Sequence, residues 1–537
     1  MGVEELAPEN GAKREKTGSP SDRPTGGARS SVTIMVCTLL SRLLGIVKAR
    51  AISGVFGASG TADVINFTFN IPNSFRKLFA EGALTSAYIP VFAADIQDDP
   101  ERLTESRKLM AALIGFQVLL FIPLVAVTWL CAPRIVSFLS DFSDPSQIRL
   151  SVGLLGWFMI FLATISIGSI FNGMLQCHGS FFTAAAAPLL FSLSVIGSVL
   201  YASRYIGAYS MALGTVVGGV LQAGCSYVRL RRYGYRLRVS FNFKSSSFLR
   251  VMAGWWPVTV TALVAVISQQ VAFYFASSLP EGSITAFNNA IIFWQTPYGI
   301  FFTAISTVFF PLMSRHYHAD DRVALADSIA KGLQYLATFL VPSAILLIAL
   351  RDESVSAVLQ TGRFTVADTL LTADVLFWYL LGMLFVAWYG YLQRYCYSIG
   401  WYVSTLIVSI AVAVIDIAAT WFLIERGSGI VALPIANSLS YLVGFIILYM
   451  MAVLPLQEFS HAGLLLSVGK ILLANIPLAA ACAGYKALGL VWWQNGSTLM
   501  NLLRLAGLFA VAMAIVLVTY LVCRIEFISV LLRRRKG

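Results

Sequence analysis

The sequence predicts an all-α polytopic membrane protein of about fourteen transmembrane helices, arranged as two six-helix lobes with two further helices at the C-terminus. Of its 537 residues, 58% are hydrophobic and only 12% are charged, and the mean hydropathy is +0.77. A soluble protein of this length could not bury so much apolar surface. Apolar runs long enough to cross a bilayer recur along nearly the whole chain, and the alternating pattern of an outer-membrane barrel is absent.

Taken in order, the elements begin with a polar tail. Residues 1–30 are rich in Gly, Pro, Ser, Glu and Lys and contain no apolar run, so we expect disorder here rather than a signal peptide. Several of the following apolar segments exceed the roughly 20 residues that cross a bilayer, so we expect them to tilt, bend or protrude. The predicted spans are 31–57, 62–97, 107–133, 148–173, 181–202, 207–231, 248–279, 284–314, 323–350, 368–394, 401–424, 429–455, 464–487 and 498–524.

An internal repeat relates two groups of six spans. GALTSAYIP at 82–90 matches TAISTVFFP at 303–311 in residue class at most positions, and Pro72 corresponds to Pro297. An even number of spans per repeat gives both halves the same orientation, related by a pseudo-two-fold axis along the membrane normal. The predicted organisation is a disordered cytoplasmic tail at 1–30, a first lobe at 31–232, a basic loop at 233–247, a second lobe at 248–455, and two extra helices with a basic tail at 456–537.

Basic residues concentrate in connections that fourteen spans would place on one side of the membrane. The segment 229–250 contains seven Lys or Arg residues and no acid, 101–108 contains three, and the C-terminal tail contains RRRK at 533–536. The positive-inside rule assigns these segments, and with them both termini, to the cytoplasm. The net charge of +12 therefore indicates topology rather than nucleic-acid binding.

Ionisable side chains interrupt the first two predicted spans. A charged group at the bilayer centre costs a few kcal/mol by insertion scales, so cations persist there when they face a water-filled cavity or an anion. The planar fork of arginine matches phosphate oxygens, and lysine adds a point charge, so a diphosphate is the expected counter-ion. Ion pairs that only hold helices together are the alternative, but they would leave an excess of positive charge. The five cations and two acids are Arg42, Lys48, Arg50, Asp63, Arg76, Lys77 and Glu81.

The corresponding segments of the second half carry neutral amides instead of charges. Such groups suit sugar or peptide parts of a substrate, so we expect a cavity that binds an anion in the first lobe and forms neutral hydrogen bonds in the second. Beyond the first-half cations and Asp63, the predicted substrate-binding residues are the amides Asn70, Asn73, Gln269 and Asn288.

Two acids have separate predicted roles. Glu81 follows Lys77 by four residues, one helical turn, so we expect it to form a gate contact in one access state only. Asp416 lies deep within a span of the second half, where intramembrane acids often bind or relay ions, and it is the candidate site of a coupling ion. A hydrogen-bonded structural acid is the alternative for Asp416.

Signatures of an enzyme are absent from the sequence. There is no glycine-rich phosphate loop, metal-ligand cluster or nucleophile elbow, and the seven cysteines are scattered without CxxC spacing. We therefore expect a transporter without metal or cofactor, driven by the membrane potential or a monovalent cation.

Three segments resemble the MurJ/MviN family of lipid II flippases, in the multidrug/oligosaccharidyl-lipid/polysaccharide exporter superfamily. They are SRLLGIVKAR at 41–50, FGASGTAD at 56–63 and IPNSFRKLFAEGALTSAYIP at 71–90. The resemblance implies a bacterial inner-membrane transporter for cell wall biogenesis and cell shape, which carries undecaprenyl-diphosphate-linked peptidoglycan precursor to the outer leaflet by alternating access. It also implies a lipid-tail groove at the last two helices and cavity residues at Arg42, Lys48, Asp63, Asn73, Arg76 and Glu81.

The chain departs from the family pattern in two places. Lys48-Ala49 stands where Arg-Asp is usual, and NNAIIFWQTPYG at 288–299 lacks the acid and arginine that are common there, so we expect Arg50 to compensate. Two alternatives remain open: a flippase for another lipid-linked oligosaccharide, and a multidrug antiporter of the same superfamily, which would favour an acidic or apolar cavity. The expected partners are lipid II, membrane lipids and other cell-wall synthesis proteins, with the chain acting as a monomer.

Overall fold

The computed structural model describes residues 25–79, 83–98, 103–495 and 497–525, which form helices and connections with no β-strand among them. The first half contains α1 (Thr25–Phe56), α2 (Gly60–Phe79), α3 (Ala83–Asp98), α4 (Thr104–Leu139), α5 (Pro145–Cys177), α6 (Phe181–Ile206) and α7 (Tyr209–Arg231). The second half contains α8 (Ser246–Ser277), α9 (Ser283–His318), α10 (Arg322–Ala349), α11 (Arg351–Leu359), α12 (Val366–Ser398), α13 (Tyr402–Glu425) and α14 (Ala432–Ala452). The final group is α15 (His461–Ala474), α16 (Ile476–Ala487), α17 (Trp492–Asn495) and α18 (Thr498–Val522).

Helix packing has the same pattern in both halves. In the first half, α5 packs against α2 and α7, while α6 packs against α1 and α7. In the second half, α12 packs against α9 and α14, while α13 packs against α8 and α14. Each of these first-half helices therefore has an equivalent one repeat later, with α2 and α3 together equivalent to α9, and α11 is an additional helix of the second half. This is the arrangement that the internal repeat predicts.

Short connections define two faces of the molecule. We call the side that contains the start of α4, the α5–α6 turn and the α7–α8 connection the basic face, and the side that contains the α1–α2, α4–α5 and α8–α9 connections the opposite face. The two lobes contact each other at both faces. On the basic face, the indole N–H of Trp255 in α8 donates to the Leu78 carbonyl of α2 at 3.0 Å, and Arg250 lies 3.3 Å from the Asp95 carboxylate of α3.

Within the described residues, twelve helices are long and apolar enough to cross a membrane. They are α4 to α10, α12 to α14, α15 with α16, and α18. Helix α2 does not belong to this set because its 20 residues contain Asp63, Arg76 and Lys77. The all-helical polytopic class is confirmed, whereas the total of about fourteen spans stays a prediction.

Some boundaries differ from the predicted ones. Helix α1 begins at Thr25, inside the predicted tail, because extending a formed helix adds one hydrogen bond for each residue fixed. The predicted span 62–97 is described as α2 and α3, with residues 80–82 outside the described part. The predicted span 464–487 is two helices that meet at Asn475, since Pro477 has no N–H to continue the bonding, and the Asn475 side chain donates to the Ile471 carbonyl at 2.8 Å.

Helix α11 was not predicted, because its sequence RDESVSAVL has no apolar run. It holds the C-terminal helices against the second half. Glu353 is fully buried and accepts from the Lys486 ammonium of α16 at 3.1 Å, and the Ser356 hydroxyl donates to the Trp493 carbonyl of α17 at 2.8 Å. On α18, the Tyr520 hydroxyl donates to the Thr338 carbonyl of α10 at 2.8 Å.

Candidate functional site

A cavity of about 1120 Å³ lies between the two lobes. Its wall is formed by α1, α2, α5, α6 and α7 of the first lobe and by α8, α9, α12, α13 and α14 of the second. Among the described lining residues, the three cations Lys48, Arg76 and Lys77 all come from the first lobe, and the one acid, Asp416, comes from the second. The cavity therefore has a basic half and a nearly neutral half.

Two of the cations are held by first-lobe groups. Lys48 follows Gly45 by one helical turn, and a side chain at Gly45 would meet no atom within 4 Å, so this part of α1 is open to the cavity. The Lys48 ammonium lies 5.3 Å from the centroid of the Phe191 ring of α6, a cation–π distance. The Arg76 Nε–H donates to the Asn73 amide oxygen at 3.2 Å, which orients the guanidinium along the wall of α2.

One glutamine of the second lobe connects to two polar residues of the first. The Gln269 amide oxygen of α8 accepts from the Lys77 ammonium at 3.0 Å, and its amide nitrogen donates to the Asn70 oxygen at 2.9 Å. Asn70 and Lys77 lie two helical turns apart on one side of α2. Gln269 thus positions Lys77 across the lobe boundary without adding a negative charge.

Neutral groups form the second-lobe wall. The Asn288 amide of α9 donates to the Asn66 oxygen of α2 at 3.0 Å, and Asn66 in turn donates to the Thr285 hydroxyl at 3.2 Å. Asp416 of α13 accepts from the Ser268 hydroxyl of α8 at 3.4 Å. Amides and hydroxyls can both donate and accept, so this wall can bind sugar hydroxyls or peptide groups.

On the opposite face, the lobes are joined by a reciprocal contact that we call the crossed latch, formed by Asp63, Gly282, Thr285, Gly60 and Glu281. The Asp63 carboxylate of α2 accepts from the Gly282 N–H at 2.6 Å, and from the Thr285 N–H and hydroxyl at 2.8 and 2.7 Å, at the start of α9. In return, the Gly60 N–H at the start of α2 donates to Glu281 at 3.1 Å. Each acid therefore binds the free N–H groups and positive dipole end of the other lobe's helix.

Sequence reasoning missed Glu281, Gly282 and Thr285. A signal was present in the repeat, because Ser59 aligns with Glu281 and Asp63 with Thr285 at one common offset of 222 residues. At these two positions the acid and the hydroxyl are exchanged between the halves. This is the pattern expected when each half supplies the acid that binds the other half's helix start.

Arg50 and Asp63, both predicted to bind substrate, do not line the cavity. The Arg50 guanidinium donates to the Val358 carbonyl at the end of α11 and to the Thr498 hydroxyl of α18, each at 2.7 Å. Residues two apart on a helix point about 200° apart, so Lys48 facing the cavity directs Arg50 away from it. The structure therefore places the Arg50 guanidinium outside the cavity and Asp63 in the crossed latch.

The other predicted residues divide into two groups. Arg42 lies in α1, but its side chain is outside the described part of the structure. Glu81 lies entirely outside the described residues, so its gate contact stays a prediction. In the described parts of the chain, no group of three or more His, Cys, Asp or Glu residues could hold a metal ion. The predicted residues that border the cavity are Lys48, Asn70, Asn73, Arg76, Lys77, Gln269, Asn288 and Asp416.

The chain matches a known protein family over most of its length. A sequence profile of the family described as "Lipid II flippase MurJ" matches residues 52–504. A curated relative from Borreliella burgdorferi, named "Probable lipid II flippase MurJ", is 29% identical over 505 residues, which cover 94% of this chain and 98% of the relative. A relative of the same name from Treponema pallidum is 26% identical over 368 residues, covering 67% and 69% of the two chains.

Solved structures share the fold. A chain titled "Lipid II flippase MurJ, inward closed conformation" superposes with a TM-score of 0.75 at 21% identity, covering 93% of this chain and all of that one. A multidrug resistance MATE family transporter of the MOP superfamily, in its inward-facing conformation, gives a TM-score of 0.64 at 13% identity, covering 80% and 98%. At these identities the likeness establishes the fold alone.

We predict that Asp63→Asn opens the opposite face. The substitution removes the charge from three hydrogen bonds of the crossed latch, and a hydrogen bond to a charged group contributes roughly 1.5–3 kcal/mol. A cysteine placed at Asn66, in a chain without the seven native cysteines, should then react faster with a membrane-impermeant maleimide added at the opposite face.

The matched control is Asp144→Asn on the same face. Among the described residues, the Asp144 side chain accepts only from Ser146 within its own turn, at 2.8 Å from the Ser146 nitrogen and 2.5 Å from its hydroxyl oxygen. Equal labelling rates in wild type, Asp63→Asn and the control would contradict a closing role for the latch.

Proposed function

The chain belongs to the MurJ family of lipid II flippases, and from this premise we propose that the first-lobe cations of the cavity bind the diphosphate of lipid II while it crosses the membrane. The protein is a multi-pass transporter of the bacterial inner membrane and not an enzyme. It moves undecaprenyl-diphosphate-linked peptidoglycan precursor between the leaflets for cell wall synthesis.

The charge distribution of the cavity is the observation that carries this proposal. Three cations and one acid among the described lining residues give a positive wall on the side of α1 and α2. Two opposite unit charges 4 Å apart attract by about 4 kcal/mol at an effective dielectric constant of 20, so several such contacts offset the loss of water around a diphosphate. Lys48, Arg76 and Lys77 are the residues proposed to make them.

The second lobe is proposed to contact the neutral part of the substrate. Gln269 and Asn288 line the cavity with amides, and neither adds a charge. The cavity volume of about 1120 Å³ exceeds the roughly 300–1,000 Å³ of ordinary small-molecule sites, as a headgroup of sugars and peptide requires. None of the described residues of α15 to α18 lines the cavity. The lipid-tail groove proposed for these helices is therefore separate from the cavity wall.

Transport by alternating access requires that one lobe contact open while the other stays closed. We propose that the basic face lies in the cytoplasm, with both termini, as the positive-inside rule predicts. The crossed latch then closes the outer side and must release before substrate leaves. Because the whole cavity lies within one chain, a monomer is the proposed functional unit.

A multidrug antiporter is not favoured. A cavity for cationic drugs would be acidic or apolar, whereas three of the four Lys, Arg, Asp or Glu residues in the described lining are basic. The likeness to MATE transporters, at 13% identity, concerns the fold. A flippase for another lipid-linked oligosaccharide would share the diphosphate contacts, and the second-lobe amides would distinguish the two substrates.

We predict that Arg76→Ala abolishes lipid II translocation. Loss of a charge-assisted contact of roughly 1.5–3 kcal/mol weakens binding by roughly 10- to 150-fold. The translocation rate is measured with fluorescent lipid II in proteoliposomes that contain equal amounts of wild type or variant protein. Arg50→Ala is the matched control, since Arg50 lies nearby in the first lobe yet points away from the cavity. Lipid II translocation at the wild-type rate by Arg76→Ala would refute the proposed role.

Asp416 is the proposed coupling-ion site, because it is the one acid in the described cavity lining. We predict that Asp416→Asn makes translocation independent of the monovalent cation gradient while lipid II binding is kept. Ser268→Ala is the control, since it removes only the hydroxyl donor to Asp416. Gradient-dependent translocation at the wild-type rate in Asp416→Asn would remove Asp416 as the coupling site.

We further predict that the membrane potential drives export. The cell interior is negative, so each negative charge that moves outward gains about 2.3 kcal/mol per 100 mV, and the empty positive cavity is drawn back by the same field. Proteoliposomes clamped with potassium and valinomycin allow the potential to be collapsed while other ion gradients are held constant. Export should stop on collapse, and undiminished export would exclude this driving force.

A further inference from the structure

The connection between α7 and α8, residues 232–245, is bound closely to the first lobe; we call it the strap. Tyr235 is fully buried, and its hydroxyl lies 3.0 Å from both the Ser106 hydroxyl of α4 and His178 Nε2 at the end of α5. The Leu237 N–H donates to the Tyr227 hydroxyl of α7 at 3.0 Å. Three helices of the first lobe thus hold the first part of the strap.

The second part of the strap lies along α4. The Ser240 N–H donates to the Ala111 carbonyl at 3.0 Å, and the strap backbone leaves no room for a side chain at Gly115. The charged residues at the start of α4 end at Lys108, and the apolar run that follows begins at Leu109. The strap therefore lies at the level where α4 passes from water to hydrocarbon.

Cationic and apolar side chains alternate along the strap and both are exposed. Leu237, Val239 and Phe241 are 53%, 49% and 59% exposed. The exposed cations Arg236, Arg238 and Lys244 form no side-chain hydrogen bond or ion pair with the described residues. Before the turn at Phe243 and Lys244, basic and apolar residues alternate in RLRV at 236–239, and successive side chains of an extended segment point to opposite sides, so Arg236 and Arg238 are separated from Leu237 and Val239.

We propose that the strap is a binding surface for anionic phospholipids of the adjoining leaflet. Its exposed apolar side chains enter the acyl-chain boundary, and its cations contact the headgroup phosphates, as in interfacial segments that combine buried apolar area with attraction to anionic lipid. Because the strap is fixed to the first lobe before lipid arrives, little ordering entropy opposes binding. A lipid surface is favoured over a soluble anion, since phosphate alone would not cover the exposed apolar side chains.

The test is native mass spectrometry of the full-length chain in detergent with equal amounts of phosphatidylglycerol and phosphatidylcholine. Wild type should retain phosphatidylglycerol preferentially. The variant Arg236→Gln/Arg238→Gln/Lys244→Gln should lose that preference, by about fivefold for each cation neutralised, while retention of phosphatidylcholine stays constant. The control Arg236→Lys/Arg238→Lys/Lys244→Arg keeps the charge and should keep the preference.

Several results would overturn the proposal. Unchanged phosphatidylglycerol retention in the glutamine variant would show that the lipid binds elsewhere, and loss of the preference in the charge-keeping control would show that charge is not the determinant. Displacement of phosphatidylglycerol by millimolar inorganic phosphate would identify a soluble-anion site. In vesicles, a fluorophore attached to a cysteine introduced by Phe241→Cys, in a chain without the seven native cysteines, should be quenched by spin-labelled lipid, and no quenching would place the strap off the bilayer.

Discussion

Positive charge kept within the membrane on one lobe is the constraint on which the rest of this structure depends. Cations in spans are costly unless water, a partner or a ligand surrounds them. The surrounding sequence accommodates them: Gly45 leaves α1 open beside Lys48, Phe191 presents a ring to its ammonium, and Gln269 supports Lys77 from the other lobe. None of these three neighbours carries a negative charge, so the cavity keeps its affinity for an anion.

The pseudo-symmetry of the two lobes provides the means to open and close this charged cavity. Because equivalent helices begin side by side on the opposite face, each can present free N–H groups to an acid from the other lobe. A contact made of a few hydrogen bonds between rigid lobes can be made or lost as a unit. On the basic face, the hydrogen bond from Trp255 of α8 to α2 and the ion pair of Arg250 with Asp95 of α3 give a second, separate closure.

Much of the fold could be predicted from the sequence, since apolar runs and the 82–90 and 303–311 repeat report directly on spans and symmetry. The position of Lys48, Arg76 and Lys77 at the cavity could also be predicted, because burying a cation within a span is costly unless it faces water, a partner or a ligand. The direction of Arg50 could not be predicted from composition, which gives no direction around the helix, and the structure shows that its guanidinium faces α11 and α18. The partners of Asp63 lie more than 200 residues away, and α11 is too polar to be recognised as a helix by its hydropathy.

The central claim is that the first-lobe cations bind the diphosphate itself. This claim is tested directly by measuring the affinity of the purified chain for undecaprenyl diphosphate and for uncharged undecaprenol. The affinities are compared between wild type and the variant Lys48→Gln/Arg76→Gln/Lys77→Gln. Wild type should bind the diphosphate far more tightly than the alcohol, and the variant should bind both with the weak affinity of the alcohol. An unchanged preference for the diphosphate in the variant would contradict the account.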